Sequence, residues 1–246
     1  MRPIGFSTGA LALGDFERAL DMLRGFDTKA VELSALRDYE VDPLMSALPT
    51  LDLQGYCYVS VHVPSAFRSL TEEDVAIRLT PCIDLSFPVV IHPDVIQNPR
   101  CWQRFGSLLC IENMDKRKRT GRTENELEAF FSELPDATFC LDIGHSRQID
   151  STMSEARRML RRFGQRLRQI HFSEIDAQGH HHGATLATIL ASRNIVDLIG
   201  HDVPAIIESQ ISSGDIAREL SAVGEALKPS ADPAPQQTII DWGALA

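Results

Sequence analysis

The chain has no long apolar run. Nothing in it approaches the roughly 20 consecutive residues that a bilayer-spanning helix needs. The opening Met1-Arg2-Pro3-Ile4-Gly5 also lacks the apolar core of a secretory leader. The expectation is a cytoplasmic protein with no membrane partner. Positive charge is short as well: 24 Lys and Arg stand against 34 Asp and Glu, for a net charge of −10 and a pI of about 5.2. That balance opposes general attraction to polyanions, so nucleic acid is not the expected partner. Cysteine is sparse, odd in number and never spaced as CxxC: Cys57, Cys82, Cys101, Cys110 and Cys140. This argues against a disulfide framework or a thiolate metal site. Cys57, Cys110 and Cys140 lie in or beside apolar runs, and free buried thiols are expected.

What is present suits one large domain. The length, 246 residues, is close to the roughly 250 typical of a (β/α)8 barrel. Short apolar runs recur along it: Ile4–Ser7, Ala30–Leu33, Tyr58–His62, Val89–His92, Leu108–Glu112, Phe139–Asp142, Leu167–Phe172 and Ala205–Glu208. Runs this short and this apolar suit strands buried on both faces. Between them lie segments with helical spacing. Asp15–Leu23 has Asp15 as N-cap, and Thr123–Leu134 opens on the capping-box pattern Thr-Glu-Asn-Glu. Ser151–Phe163, Leu186–Ile199 and Ser213–Leu227 follow. Pro93–Ser107 is too short for more than about two helical turns. Strand–helix alternation implies parallel βαβ units. Eight of them predict an α/β protein with a single-domain (β/α)8 TIM barrel over residues 1–227. A doubly wound open sheet is the alternative. Residues 228–246, rich in Pro, read as a tail.

Polar residues terminate six successive runs, in the order His62, His92, Glu112, Asp142, His171 and Glu208. In a parallel barrel all the C-terminal strand ends open on one face. Carboxylates and imidazoles gathered there repel or go unpaired unless something compensates them. A divalent cation, which takes both oxygen and nitrogen donors, does so.

These residues resemble the xylose isomerase-like TIM-barrel superfamily, which includes endonuclease IV and the ketose 3-epimerases. The resemblance runs from Ile4-Gly5-Phe6-Ser7 to Ile207-Glu208. It implies one metal on Glu112, Asp142, His171 and Glu208, with Glu112 and Glu208 as catalytic groups moving a proton beside a carbonyl. The endonuclease IV branch implies further ions. His62 and His92 match two more ligands, and His145 of the Asp142-x-x-His145 motif matches a third. That branch also has an Asp-x-His pair after the seventh strand. Here the loop carries His180 and His182 at that spacing, so His180 stands where a carboxylate is expected, and Asp176 is a substitute. Zinc or manganese is the expected metal, with iron or magnesium as alternatives, at one to three ions.

Three functional classes follow. The first is a multinuclear hydrolase of a small phosphate ester. The second is a mononuclear sugar or sugar-phosphate isomerase or epimerase. The third is a non-catalytic metal-binding barrel. Iron-dependent oxidation and endonuclease-type DNA repair are minor alternatives. The loop Asp115-Lys116-Arg117-Lys118-Arg119-Thr120-Gly121-Arg122 either clamps an anionic substrate through its inward residues Asp115 and Arg117 or is a solvated charge run. The resemblance places a Glu at the base of the site at the position of Glu32, in the second run; the alternative, and the favoured one, is a buried structural carboxylate bonded to backbone. The expected partner is a small polar or phosphorylated substrate, and a homo-oligomer is left open.

Overall fold

Eight parallel strands close into a barrel in this computed structural model, which describes residues 2–229. The strands are β1 (Ile4–Ser7), β2 (Ala30–Ser34), β3 (Tyr58–His62), β4 (Val89–Ile91), β5 (Leu109–Glu112), β6 (Thr138–Asp142), β7 (Leu167–Phe172) and, after a small hairpin, β10 (Ala205–Ile207). The hairpin pairs β8 (Glu174–Ile175) antiparallel with β9 (His181–His182). Pairing of β1 with β10 closes the ring and rules out the open doubly wound sheet. The β1–β2 contact is close because residue 5 is glycine. A Cβ there would lie 1.5 Å from the carbonyl oxygen of Ala30.

The strands alternate, apart from one irregularity where β7 gains a residue against Phe139–Cys140 of β6. Val31 and Leu33, Val59 and Val61, Val89 and Ile91, Leu109 and Ile111, Phe139 and Leu141, and Ile170 and Phe172 join the main hydrophobic core. Their neighbours, one residue out of phase, face the barrel axis. The axial column holds the separate small cluster Val90, Cys110 and Cys140, and it carries Glu32, Ser60 and Gln169, all fully buried. Runs that read as continuously apolar therefore have one large-residue face toward the helices and one small or polar face inward.

The surrounding helices are α1 (Thr8–Ala12), α2 (Phe16–Leu23), α3 (Val41–Ala47), α4 (Glu72–Arg78), α5 (Pro81–Asp84), α6 (Glu124–Glu133), α7 (Ile143–Ile149), α8 (Ser154–Phe163), α9 (Leu186–Arg193) and α10 (Ile216–Ala226). Asp15 caps α2 by accepting the N–H of Arg18. Only half of the expected capping box forms on α6. Thr123 accepts the N–H of Glu126, but the Glu126 carboxylate turns to the backbone N–H and guanidinium of Arg122. An adjacent cation outcompetes a neutral N–H for that carboxylate. Pro93–Ser107 folds as 3-10 turns at Pro93–Val95 and Pro99–Cys101 with a third beginning at Gln103, because Pro93 and Pro99 each open a turn. The helix expected over Ser213–Leu227 begins with a 3-10 turn and is α-helical from Ile216. All five cysteines are free, but Cys57 is exposed, not buried as expected. It precedes β3 at the barrel's N-terminal end, beyond the apolar run that suggested burial. Most of the tail, residues 230–246, lies outside the described residues.

Candidate metal centre

The C-terminal ends of the strands bring the predicted residues into one buried group. His62 and Glu112 are the last residues of β3 and β5, and Asp142 is the last of β6. His171 lies one residue inside the end of β7, while His92 and Glu208 follow β4 and β10 directly. Glu112 stands at the centre. Its Oε2 is 3.1 Å from His62 Nε2 and 3.4 Å from His92 Nε2. Its Oε1 is 3.2 Å from His145 Nδ1 and 3.4 Å from His171 Nδ1. The Glu208 carboxylate lies 3.5 Å from the same nitrogen of His171.

In His62 the second ring nitrogen fixes what the first can do. His62 Nδ1 faces the carbonyl of Val63 at 2.8 Å, and a carbonyl can only accept, so that nitrogen carries the proton. In the neutral ring, Nε2 then presents its lone pair to Glu112. His145 differs: its Nδ1 donates to the carbonyl of Asn113 at 2.9 Å and is also the nitrogen beside Glu112, so its Nε2 is left facing Asp115 at 3.8 Å. His171 Nε2 lies 2.7 Å from the Gln169 amide nitrogen and 3.2 Å from the Glu32 carboxylate, and its Nδ1 faces Glu112 and Glu208. A lone pair aimed at a carboxylate needs a proton or a metal cation between them.

Titration behaviour shows the same competition. Burial lowers the imidazole of His62, yet the Glu112 and Glu32 carboxylates outweigh it and lift it to about 9. Burial acts on His145 too, and Asp142 and Glu112 raise it to about 10. The Glu208 carboxyl is pushed up to about 8 by burial; His171 pulls it down, and Glu112 and Asp142 add to the rise. Burial raises Asp142 as well.

Two sets of donors fit a cation. Glu112, Asp142, His171 and Glu208 each offer an atom within 4.8 Å of the others, and so do His62, His92 and Glu112. Glu112 Oε1, Asp142 Oδ2 and His171 Nδ1, all from the first set, are buried without a hydrogen-bond partner. Orphaned donors and acceptors of mixed oxygen and nitrogen type are the set that a divalent ion satisfies. A third set, Glu32, His62, His171 and Glu208, lies deeper along the axis.

Local folding places these atoms. Asp142 is the N-cap of α7: its Oδ1 accepts the N–H of His145 at 2.6 Å, so Oδ2 is left facing the cluster. The Asp-x-x-His spacing is thus also a helix cap, which presents His145 beside its own capping residue. Asn113 clamps the junction by accepting from the N–H of Asp142 and donating to the Asp142 carbonyl. Glu32 is buried as expected, but side chains bond it in place of backbone, and only at one oxygen, since Oε1 has no partner. Ser60, Gln169 and His171 converge on its Oε2, because an axial residue has no free main-chain donor within reach.

The mouth above the cluster encloses about 460 Å³. Asp115, Arg117 and Lys118 line it. Arg117 forks onto Asp115, its Nη2 2.6 Å from Oδ2, and donates through Nη1 to the carbonyl of Gln178. Lys118 pairs with Asp94 at 2.7 Å. His180 and His182 do not join the cluster. They point outward, both bonded to Asp176. The residue between them, His181, faces the mouth, with Nδ1 2.9 Å from Ser173 Oγ and 3.6 Å from Glu208. Burial, with the His145 charge beside it, lowers His181 to about 3 and keeps it neutral. The x-spacing that singled out His180 and His182 carried the missing signal. In an extended hairpin, alternation must turn either those two inward or the one between them.

No family model and no curated protein sequence matches the chain. Solved structures do. Endonuclease IV from Thermus thermophilus superposes with a TM-score of 0.61 at 17% identity, over 92% of this chain and 98% of that one. A putative sugar phosphate isomerase/epimerase from Anabaena variabilis matches at 0.58 and 14%, over 96% and 93%. A xylose isomerase domain protein from Alicyclobacillus acidocaldarius matches at 0.58 and 13%, over 93% and 100%. The chain shares the fold of these xylose isomerase-like barrels.

Proposed function

We propose that the chain is a divalent-metal-dependent enzyme whose mouth holds two ions, and that it hydrolyses a phosphate ester of a small polar substrate. The observation that carries the two-ion reading is Glu112. One of its oxygens faces His62 and His92, and the other faces His171, so it belongs to both donor sets at once. When bound, such ions supply a nucleophilic water at neutral pH and neutralise charge on phosphate.

The chain's own residues do the rest. Arg117, held in the Asp115 fork, and Lys118 give the mouth its cationic wall for an anionic substrate. Glu208 and His181, 3.6 Å apart in the same mouth, orient a substrate oxygen. The volume of about 460 Å³ fits a small molecule better than a duplex. The net charge of −10 argues in the same direction.

Elemental analysis of protein purified without an affinity tag tests the reading, followed by a panel of small phosphate esters. Two ions per mouth, one of them lost in His62→Ala/His92→Ala together with phosphatase activity, is the expected result. Wild-type activity in that double variant overturns it. A second reading draws on Glu112 and Glu208, which both reach His171 Nδ1 and so flank one common point. A single ion with turnover of sugars would mark a mononuclear isomerase or epimerase using those two carboxylates to move a proton. No metal after reconstitution excludes both.

A further inference from the structure

The His-rich hairpin holds a cluster that the mouth does not use. Asp176, His180 and His182 each present an atom within 4.8 Å of the others. Asp176 is fixed by its Oδ1, which accepts the backbone N–H of Gln178 and of His180, both at 2.9 Å. Its Oδ2 is left between two imidazoles, 3.1 Å from His180 Nδ1 and 2.9 Å from His182 Nε2. Tetrahedral zinc with bonds of about 2.0–2.1 Å sets its donors roughly 3.3 Å apart, close to both distances.

The backbone behind the donors is built, not loose. Pairing of Glu174 with His182 and of Ile175 with His181 sets the register. Gly179 makes the turn at φ +85, and a Cβ there would collide with the Arg117 guanidinium. Arg117 in turn holds the carbonyl of Gln178 at 2.6 Å. Strand alternation puts His182 outward and His181 inward, so an ion on the outer face would fix the residue that reaches the mouth.

We propose that Asp176, His180 and His182 form a second, peripheral zinc site that latches this hairpin and thereby sets the position of His181. The proposal does not rest on the mouth holding metal. Water completes the coordination, since His180 and His182 are 66% and 54% exposed.

Titration of the full chain with Zn²⁺ against a chromophoric chelator tests it, with amide exchange read across residues 176–182. Wild type should bind one zinc more than His180→Ala/His182→Ala. Zinc should slow exchange in the wild-type hairpin about tenfold or more and leave the variant unchanged. Asp176→Asn, which keeps an oxygen to hold the turn, should lose the same ion. If the mouth binds nothing, wild type should still hold one zinc and the double variant none. Equal stoichiometry in wild type and variant overturns the proposal. So does an adventitious ion only, with a dissociation constant of about 1 mM or weaker.

Discussion

Imidazole and carboxylate meet in two places in this molecule, and the surroundings give the meetings different consequences. At the barrel mouth, Glu112 is 1% exposed and is ringed by His62, His92, His145 and His171. On the hairpin, Asp176 faces His180 and His182 in water. The outer group meets its needs with hydrogen bonds and solvent. The inner group cannot, and Glu112 Oε1, Asp142 Oδ2 and His171 Nδ1 have no partner. Burial turns an ordinary pairing into a demand for a cation.

Removing the centre of the buried group should break the comparison most severely. Glu112→Ala leaves four embedded imidazoles facing one another without their shared anion. The expected result is loss of both proposed mouth ions by elemental analysis, with metal-free stability reduced by about 3–5 kcal/mol in denaturant titration. Retention of both ions would show that Glu112 bridges nothing.

Glu32→Gln probes the layer beneath. The substitution keeps the shape but weakens the acceptor that orients His171. Metal affinity should fall by about 10–100-fold in chelator competition, while the metal-free protein melts no lower than wild type. Unchanged affinity would make Glu32 a packing group only.

Asp38 is the control carboxylate, buried yet needing no ion. It accepts the backbone N–H groups of Arg68, Ser69 and Leu70 and the hydroxyl of Ser69. Burial would raise its carboxyl, but these bonds hold it well below its usual 3.8. A lowered folded-state value means stability that is present above 3.8 and is lost as pH falls below it. Asp38→Asn should cost about 2 kcal/mol at neutral pH and flatten that acid limb of the unfolding curve.

The smallest effect is expected at the hairpin. Without added zinc, His180→Ala/His182→Ala should shift unfolding by no more than about 0.5 kcal/mol, as for ordinary surface positions. A larger loss in thermal unfolding would mean that the hydrogen bonds to Asp176 already do what the proposed ion does.

The sequence carried the barrel well because each strand is a short run with a sharp polar end. Val61–His62, Ile111–Glu112 and Leu141–Asp142 mark both the strand and the rim of the mouth in adjacent letters. It carried less of what depends on competition between partners. Glu126 reads as half of a capping box until Arg122 stands beside it. Glu32 reads as a backbone-bonded acid until three side chains from β3 and β7 converge on it. His181 was hidden by its neighbours: a two-residue strand is too short for a visible period, and only its register with β8 fixes which histidine turns inward. Lys118 was one more letter in a charge run until its pairing with Asp94 drew it into the wall.

Asp142 ties the mouth to the helix that follows it, one oxygen holding the first turn of α7 and the other turned to the cluster. A lineage drifting away from metal chemistry would not be free to discard this aspartate, because doing so would also fray the helix. Asparagine, serine or threonine could keep the cap and let the ligand go. The residue found at this one position in a relative would thus distinguish a barrel that has given up its ions from one that has only exchanged its substrate.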